Sequence, residues 1–323
     1  MLLSRFIDPK NDFAFKQIFG KEKNQDILIH FLNDILGYQG ADQITSVTFL
    51  KTSQDPDIAA YKQSIVDVLC CDQNGVQIIV EMQVSKHPGF EKRAQFYAAK
   101  AYANQVLKPD ENHKGLAVYA KLKGVIFLAI ADFTMFPSDA KWLSQHEVLD
   151  NISYEKQLKD FHFIFMELPK FDKKIEQLTN LNEKWAYFFK HAEDSTLEEM
   201  EHLIGHDIII KRAFQAIDQA SWSEEELRSY EQVEKTYLDN LVVEQQKLED
   251  AEAKGKAEGK AEGKAEGKAE GKAEGVAEGE VKGEKNKAIT IASKMLLKGN
   301  PIELIMEITE LSRAEIEAIQ RGE

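Results

Sequence analysis

Apolar positions along this chain recur first at helical spacing, then in short continuous runs, then at helical spacing again. After Asp8-Pro9, a capping acid with a first-turn proline, the residues Phe13, Phe15, Ile18 and Phe19 predict a helix that stops at Gly20. Ile27, Leu28, Phe31, Leu32 and Ile35 form one face of a second helix over 24–36, ended by Gly37. Residues 44–50 alternate as a first strand does, and a turn is expected at Asp55-Pro56-Asp57. Two apolar runs, 64–71 and 76–84, enclose Asp72-Gln73-Asn74-Gly75, a hairpin composition. A helix over 88–107 and strands over 124–133 and 161–168 complete the order α-α-β-β-β-α-β-β. This order predicts a mixed α/β layer whose central sheet ends near residue 170.

Beyond 170 every pattern is helical. Trp185, Phe188 and Phe189 mark one helix, 196–218 a second, and 224–254 a long, charged, exposed one with almost no Pro or Gly. Residues 255–283 repeat Gly-Lys-Ala-Glu, with glycine at every fourth position. Each glycine costs a helix about 1 kcal/mol relative to alanine, and a period of four stacks like charges at i,i+4. A flexible charged linker is therefore expected there. Residues 285–323 predict a small helical unit with Leu311-Ser312 as its last turn and cap. Its rhythm resembles a helix-turn-helix, yet 299–323 holds two basic against six acidic residues. Packing or protein contact is expected of this tail, not major-groove reading. The organisation is thus a core over 1–175, a helical extension over 176–254, a linker over 255–284 and a terminal module over 285–323.

The net charge of −14 argues against a nucleic-acid partner until it is divided along the chain. Residues 1–125 carry 15 Lys and Arg against 14 Asp and Glu, so the acidic excess lies entirely beyond them. Within 86–123 there are eight basic and three acidic residues, a local basic stripe. The only cysteines, Cys70 and Cys71, are adjacent, which excludes a disulfide scaffold and a Cys-rich zinc site. Charge interrupts the N-terminus early and no long apolar stretch follows, so neither secretion nor a membrane span is expected, and a cytoplasmic location is.

The candidate chemistry lies in the hairpin. Asp67 and Glu81 stand inside runs that are otherwise almost wholly apolar, where an unpaired charge costs several kcal/mol. Glu81 and Gln83 share a strand face. Whether Asp67 joins them depends on the turn. A two-residue Asn74-Gly75 loop sets Asp67 across from Met82 on the wrong face; an odd loop or a bulge sets it opposite Glu81, where like charges repel unless a cation lies between them. The expectation is an odd loop or a bulge. Two carboxylates with a backbone carbonyl, that of Met82, make a hard-oxygen site suited to Mg²⁺, Mn²⁺ or Ca²⁺ and poorly suited to zinc. The plainer alternative is a solvated acid pair on an edge strand.

Several segments resemble one family in order: Asp8-Pro9-Lys10, Asp12-Phe13-Ala14-Phe15-Lys16, Ile18-Phe19-Gly20, the Asp67 strand, Ile79-Val80-Glu81-Met82-Gln83, and Gly89-Phe90 with Arg93 and Tyr97. The resemblance runs on through Glu167-Leu168-Pro169-Lys170-Phe171, Trp185, the glycine repeat and the helical C-terminus. It is to the recombination-promoting nucleases (Rpn), also described as transposases, of the PD-(D/E)XK superfamily. The resemblance implies a restriction-endonuclease-like mixed central sheet flanked by helices, followed by an all-helical C-terminal region. It also implies a metal-dependent DNA endonuclease of low sequence selectivity, acting in recombination or on mobile DNA. On that reading Asp67 and Glu81 are metal ligands and Gln83 stands where the superfamily usually has lysine. Glutamine can orient a water or a phosphate oxygen but cannot act as a base. Asp12 is a further acidic candidate, or simply an acid favoured by the helix dipole.

Arg93, Tyr97 and Lys100 fall at i, i+4 and i+7 on the helix after the hairpin, along one face suited to phosphate contact. The alternative is that Phe96 and Tyr97 pack while the cations are solvated. From a different class, an interaction or regulatory protein on a nuclease-like fold, forming homo-oligomers through its C-terminal helices, fits the missing lysine and the self-complementary repeat.

Overall fold

The computed structural model describes residues 5–51, 53–54, 64–107, 116–137, 141–205 and 207–322. The turn expected at Asp55-Pro56-Asp57 and, in the basic stripe, Lys108 and Lys114 lie outside the described residues. Tertiary contacts divide the chain into two units, residues 1–238 and 239–323. In chain order the first contains α1 (Asp12–Phe19), α2 (Gln25–Leu36), β1 (Val47–Phe49), a short pair β2 (Ser53–Gln54) and β3 (Ser64–Ile65), β4 (Val68–Asp72) and β5 (Gln77–Gln83). Then come α3 (Phe90–Leu107), β6 (Val125–Ala131), β7 (Leu143–Glu147), β8 (Phe161–Glu167), α4 (Leu181–His191), α5 (Leu197–Ile204), α6 (Ile208–Ala216) and the start of α7 (Glu224–Leu297). The main sheet runs β1-β4-β5-β6-β8-β7. β5, β6 and β8 are parallel, and the outer pairings are antiparallel. This is the mixed sheet with flanking helices, followed by a helical region, that the PD-(D/E)XK resemblance implies.

Every residue of β6 is buried, as its unbroken apolar run requires of a strand covered on both faces. On one face Val68, Cys70, Ile78 and Val80 pack against an aromatic core that includes Phe15, Phe31, Trp185 and Phe214 from α1, α2, α4 and α6. The Trp185 indole N–H donates to Asp34 Oδ2 at 2.8 Å, so even this fully buried ring has its polar atom satisfied. On the other face Leu69, Ile79, Phe127 and Phe165 meet Ala94, Ala98 and Ala101 of α3, small residues that let the helix lie close to the sheet.

Four elements of the first unit differ from the sequence expectation. The run 64–71 is split, its start forming β3 beside β2 and its end β4 of the main sheet. α1 begins at Asp12, not beside Pro9, because Asn11 Oδ1 accepts from the N–H groups of Phe13 and Ala14 and caps the helix there. The helix expected over 196–218 is two: Gly205, at φ 52°, ends α5, and Asp207 caps α6. β7 was not foreseen, since Leu143-Ser144-Gln145-His146-Glu147 is an edge strand with little buried surface to impose a pattern.

The second unit holds the rest of α7, α8 (Ile302–Thr309) and α9 (Arg313–Arg321). The end of α7 packs with α8 and α9 around Ala292, Ile305, Leu311 and Ile316. Ser312 caps α9 reciprocally with Glu315. The repeat expected to be a flexible linker is helical throughout. Three of every four of its residues are strong helix formers, and the chain enters it already helical, so the repeat extends a helix and never has to nucleate one. Opposite charges meet at i,i+4 only around its ends, in Lys256–Glu252 (3.6 Å), Lys254–Glu258 (3.8 Å) and Lys282–Glu278 (3.5 Å). Inside it Lys and Glu are two residues apart, about 200° around the axis, on opposite sides.

At none of the eight repeat glycines would a Cβ meet an atom within 4 Å. Alanine at Gly259, Gly263, Gly267 and Gly271 is therefore expected to stabilise this stretch by about 1 kcal/mol per site. The helical signal in far-ultraviolet circular dichroism should then melt at a higher temperature than in the parent chain. An unchanged melt would argue against a helical repeat.

Candidate functional site

β4 and β5 are joined by three residues, Gln73-Asn74-Gly75, with Asp72 paired to Val76 by an N–H···O bond of 3.0 Å. Gly75 takes the left-handed φ of 81° that closes such a loop. Asp72 Oδ1 accepts from the N–H groups of Asn74 (2.9 Å) and Val76 (2.8 Å) and so fixes the turn from within. The odd loop sets the register: Val68 lies opposite Val80, and Asp67, one residue before β4, stands opposite Glu81. Both face the α3 side of the sheet, as do Leu69, Ile79 and Gln83. Met82 points into the opposite core and takes part through its main chain, its N–H donating to Asp67 Oδ2 at 2.9 Å.

Both carboxyls are deeply enclosed, Glu81 to 5% exposure. Burial first, and then the charge of Asp67, push the Glu81 carboxyl well above the usual range; Arg93, the Asp67 backbone N–H and Lys16 offset part of this. Asp67 is also raised, by burial first, with Lys16 pulling it down and Asp12 pushing it up. Glu81 Oε1 is buried and has no hydrogen-bond partner. Asp12 reaches the same place from α1, where Lys16 Nζ bridges Asp12 Oδ1 (2.6 Å) and Asp67 Oδ1 (3.3 Å).

Gln83 Oε1 accepts from Arg93 Nη2, which leaves the glutamine amide nitrogen free to donate. The Arg93 guanidinium lies 4.9 Å from the centre of the Phe90 ring and 6.0 Å from that of Tyr97, and its Nε is buried and unpartnered. Burial first pushes the Tyr97 hydroxyl up; the Arg93 charge lowers it, and those of Glu81 and Asp67 raise it. The alternative reading of α3 holds in part: Tyr97 packs against the core on this side of the sheet, whereas Phe96 is 59% exposed and Arg93 and Lys100 are half-buried, not fully solvated. Lys100 lies on α3, one turn beyond Tyr97. Asp67, Glu81, Gln83, Arg93 and Tyr97 thus meet in one place, with Asp12 at its edge.

Two residues that stand in the resembling segments have no role assigned by the sequence. Lys16 carries only a weak signal, its i+4 spacing from Asp12. Glu167 is the single acid in an apolar run, and it is fully buried. Its Oε1 accepts from the N–H groups of Met135 (2.5 Å) and Phe136 (3.1 Å), and its Oε2 from Lys170 Nζ (2.8 Å), which also donates to Pro137 O (2.9 Å). Glu167 ties the loop after β6 to the end of β8. It lies in one row with Ala131 and Gln83 across the sheet.

Residues 9–247, well over half of the chain, match the family model described as PD-(D/E)XK nuclease family transposase. The chain belongs to the PD-(D/E)XK nuclease family. Residues 285–321 match a second model, the C-terminal HTH domain of the Rpn/YhgA-like nuclease family. No match was found among curated proteins or among solved structures. The second match corrects the reading of the tail made from its charge. Some of the acids that argued against a helix-turn-helix are paired within the module, Glu315 with Lys285 at 2.8 Å and Glu303 with Arg313.

PD-(D/E)XK nucleases generally use divalent metals, and the residues here fit one. The donors are all oxygen, and one carboxylate oxygen is buried without a partner. Among the described residues no three His, Cys, Asp or Glu side chains form a metal-holding group, so the side-chain donors would be Asp67 and Glu81. No helix among the described residues is long and apolar enough to cross a membrane.

Proposed function

We propose that this PD-(D/E)XK family member is a divalent-metal-dependent DNA endonuclease of low sequence selectivity, promoting recombination or acting on mobile DNA. The observation that carries this reading is the unpartnered, buried Glu81 Oε1 opposite Asp67. Asp67 and Glu81, with the Met82 backbone carbonyl, would hold the ion, with Mg²⁺ preferred to Mn²⁺ or Ca²⁺. The ion supplies Lewis-acid polarisation of a phosphodiester oxygen. Gln83, its carbonyl oxygen held by Arg93, turns its amide nitrogen toward the attacking water or a phosphate oxygen. Arg93 and Lys100 offset phosphate charge, and Tyr97 positions the strand. The helix-turn-helix module gives a second DNA contact, to phosphates through Lys287 and Lys294 on the end of α7 and Lys298 in the turn after it, since α9 carries Glu315 and Glu317 where a base reader needs neutral or basic side chains.

Supercoiled plasmid incubated with the purified protein is expected to be nicked in Mg²⁺ or Mn²⁺ and left intact in EDTA. Intact plasmid in every metal would sink the reading. A second function, an oligomerising interaction protein on a nuclease fold, is favoured by the exposed Leu241, Val242, Val243 and Leu248 on α7. Metal-free, nuclease-inactive oligomers in light scattering would support that one.

A further inference from the structure

Cleavage at this site leaves a charge imbalance that Gln83 cannot correct. As carboxylates Asp67, Glu81 and, at the edge of the site, Asp12 carry three negative charges, the phosphodiester brings a fourth, and a fifth develops on the phosphoryl oxygens as water attacks. A divalent ion offsets two of these, and Arg93 and Lys100 one each. Gln83 offsets none.

The missing charge stands on another element. Lys16 Nζ is 3.3 Å from Asp67 Oδ1 and 2.6 Å from Asp12 Oδ1, held between two carboxylates. Its helix is pinned by the fully buried Phe15, Ile18 and Phe19, so the ammonium projects from a rigid base. The side chain is 35% exposed and therefore open to an incoming phosphate.

We propose that Lys16 is a catalytic residue that contacts the scissile phosphate from α1 and offsets the charge that builds on it, in place of a cation at position 83. The proposal rests on the nuclease reading above. In the hydrolysis, water oxygen bonds to phosphorus and the bond to the leaving sugar oxygen breaks. One water proton passes to that oxygen and the other to the product phosphate or solvent; Lys16 keeps its own protons.

The test compares wild type, Lys16→Met, Lys16→Arg and the double variant Lys16→Met with Gln83→Lys. Three readouts apply: plasmid nicking in Mg²⁺, Mn²⁺ binding by calorimetry, and thermal unfolding. Lys16→Met is expected to nick about 100-fold more slowly while still folding and binding Mn²⁺. Arginine at 16, or the ammonium moved to 83, should each recover at least about tenfold, and recovery in either supports the proposal. Wild-type nicking by Lys16→Met, loss of Mn²⁺ binding or of the fold together with activity, or failure of both recoveries overturns it. A wild type that neither nicks DNA nor binds Mn²⁺ overturns the nuclease reading and this proposal together; the preceding outcomes overturn this proposal alone.

Discussion

Glu81→Gln is expected to lower Mg²⁺-dependent nicking by at least about a thousandfold while making the metal-free protein more stable at alkaline pH. The first effect follows, on the proposed function, from losing one of the two carboxylates that would hold the ion. The second follows from the direction of the Glu81 shift. Burial and Asp67 raise this carboxyl in the folded state, so the native protein keeps a proton that the unfolded chain has released. The associated stability is fully present below the ordinary glutamate pKa and is lost as pH rises through the raised value. Glutamine has the same shape and no proton to lose. Without metal, wild type and variant should therefore melt at similar temperatures near about pH 5, and the variant should melt higher near about pH 9. At the upper pH, Mn²⁺ should raise the melting temperature of wild type and leave that of the variant unchanged. Equal metal shifts in both proteins would show that the ion binds elsewhere.

Glu167→Ala is expected to be among the most destabilising single changes in the first unit. It strands Lys170, whose side chain is 9% exposed, and takes an acceptor from two backbone N–H groups. Breaking a buried ion pair from one side costs about 3–5 kcal/mol, a fall of about 10 °C in melting temperature for a unit of this size. Replacing both members, Glu167→Leu with Lys170→Met, should recover much of that loss. The loop held by Glu167 also meets the site strand, because the Asp132 N–H donates to the backbone carbonyl of Gln83 at 2.9 Å. Nicking should therefore fall in Glu167→Ala, though less than in Glu81→Gln. A melting temperature within a degree or two of wild type would show that water replaces the pair.

The sheet and the acid pair were legible because both leave a local mark. Strand runs such as 125–131 are apolar throughout, and a carboxylate inside such a run has few explanations. The odd loop was expected only because it brings the two buried acids together, and it is what the structure has; the turn residues themselves do not give its parity. Asn74-Gly75 suits a two-residue turn equally well, and the Asp72 side chain decides the matter through bonds that appear only when the chain is folded. Local ambiguity likewise displaced the start of α1, where Asp8 and Asn11 are both good caps. Lys16 was illegible for a different reason: its significance depends on a distance to Asp67, 51 positions away in the chain. Glycine propensity speaks against a helix only for an isolated segment, whereas here the helix on either side carries the repeat through.

The three-residue turn gives the hairpin something like a reading frame. Losing or gaining one residue between Asp72 and Val76 would slide β4 by one step against β5 and turn Asp67 to the far face, although no site residue had changed. Losing or gaining two would restore it. Length variation at this turn among relatives that keep both acids on one face is therefore expected to come in steps of two.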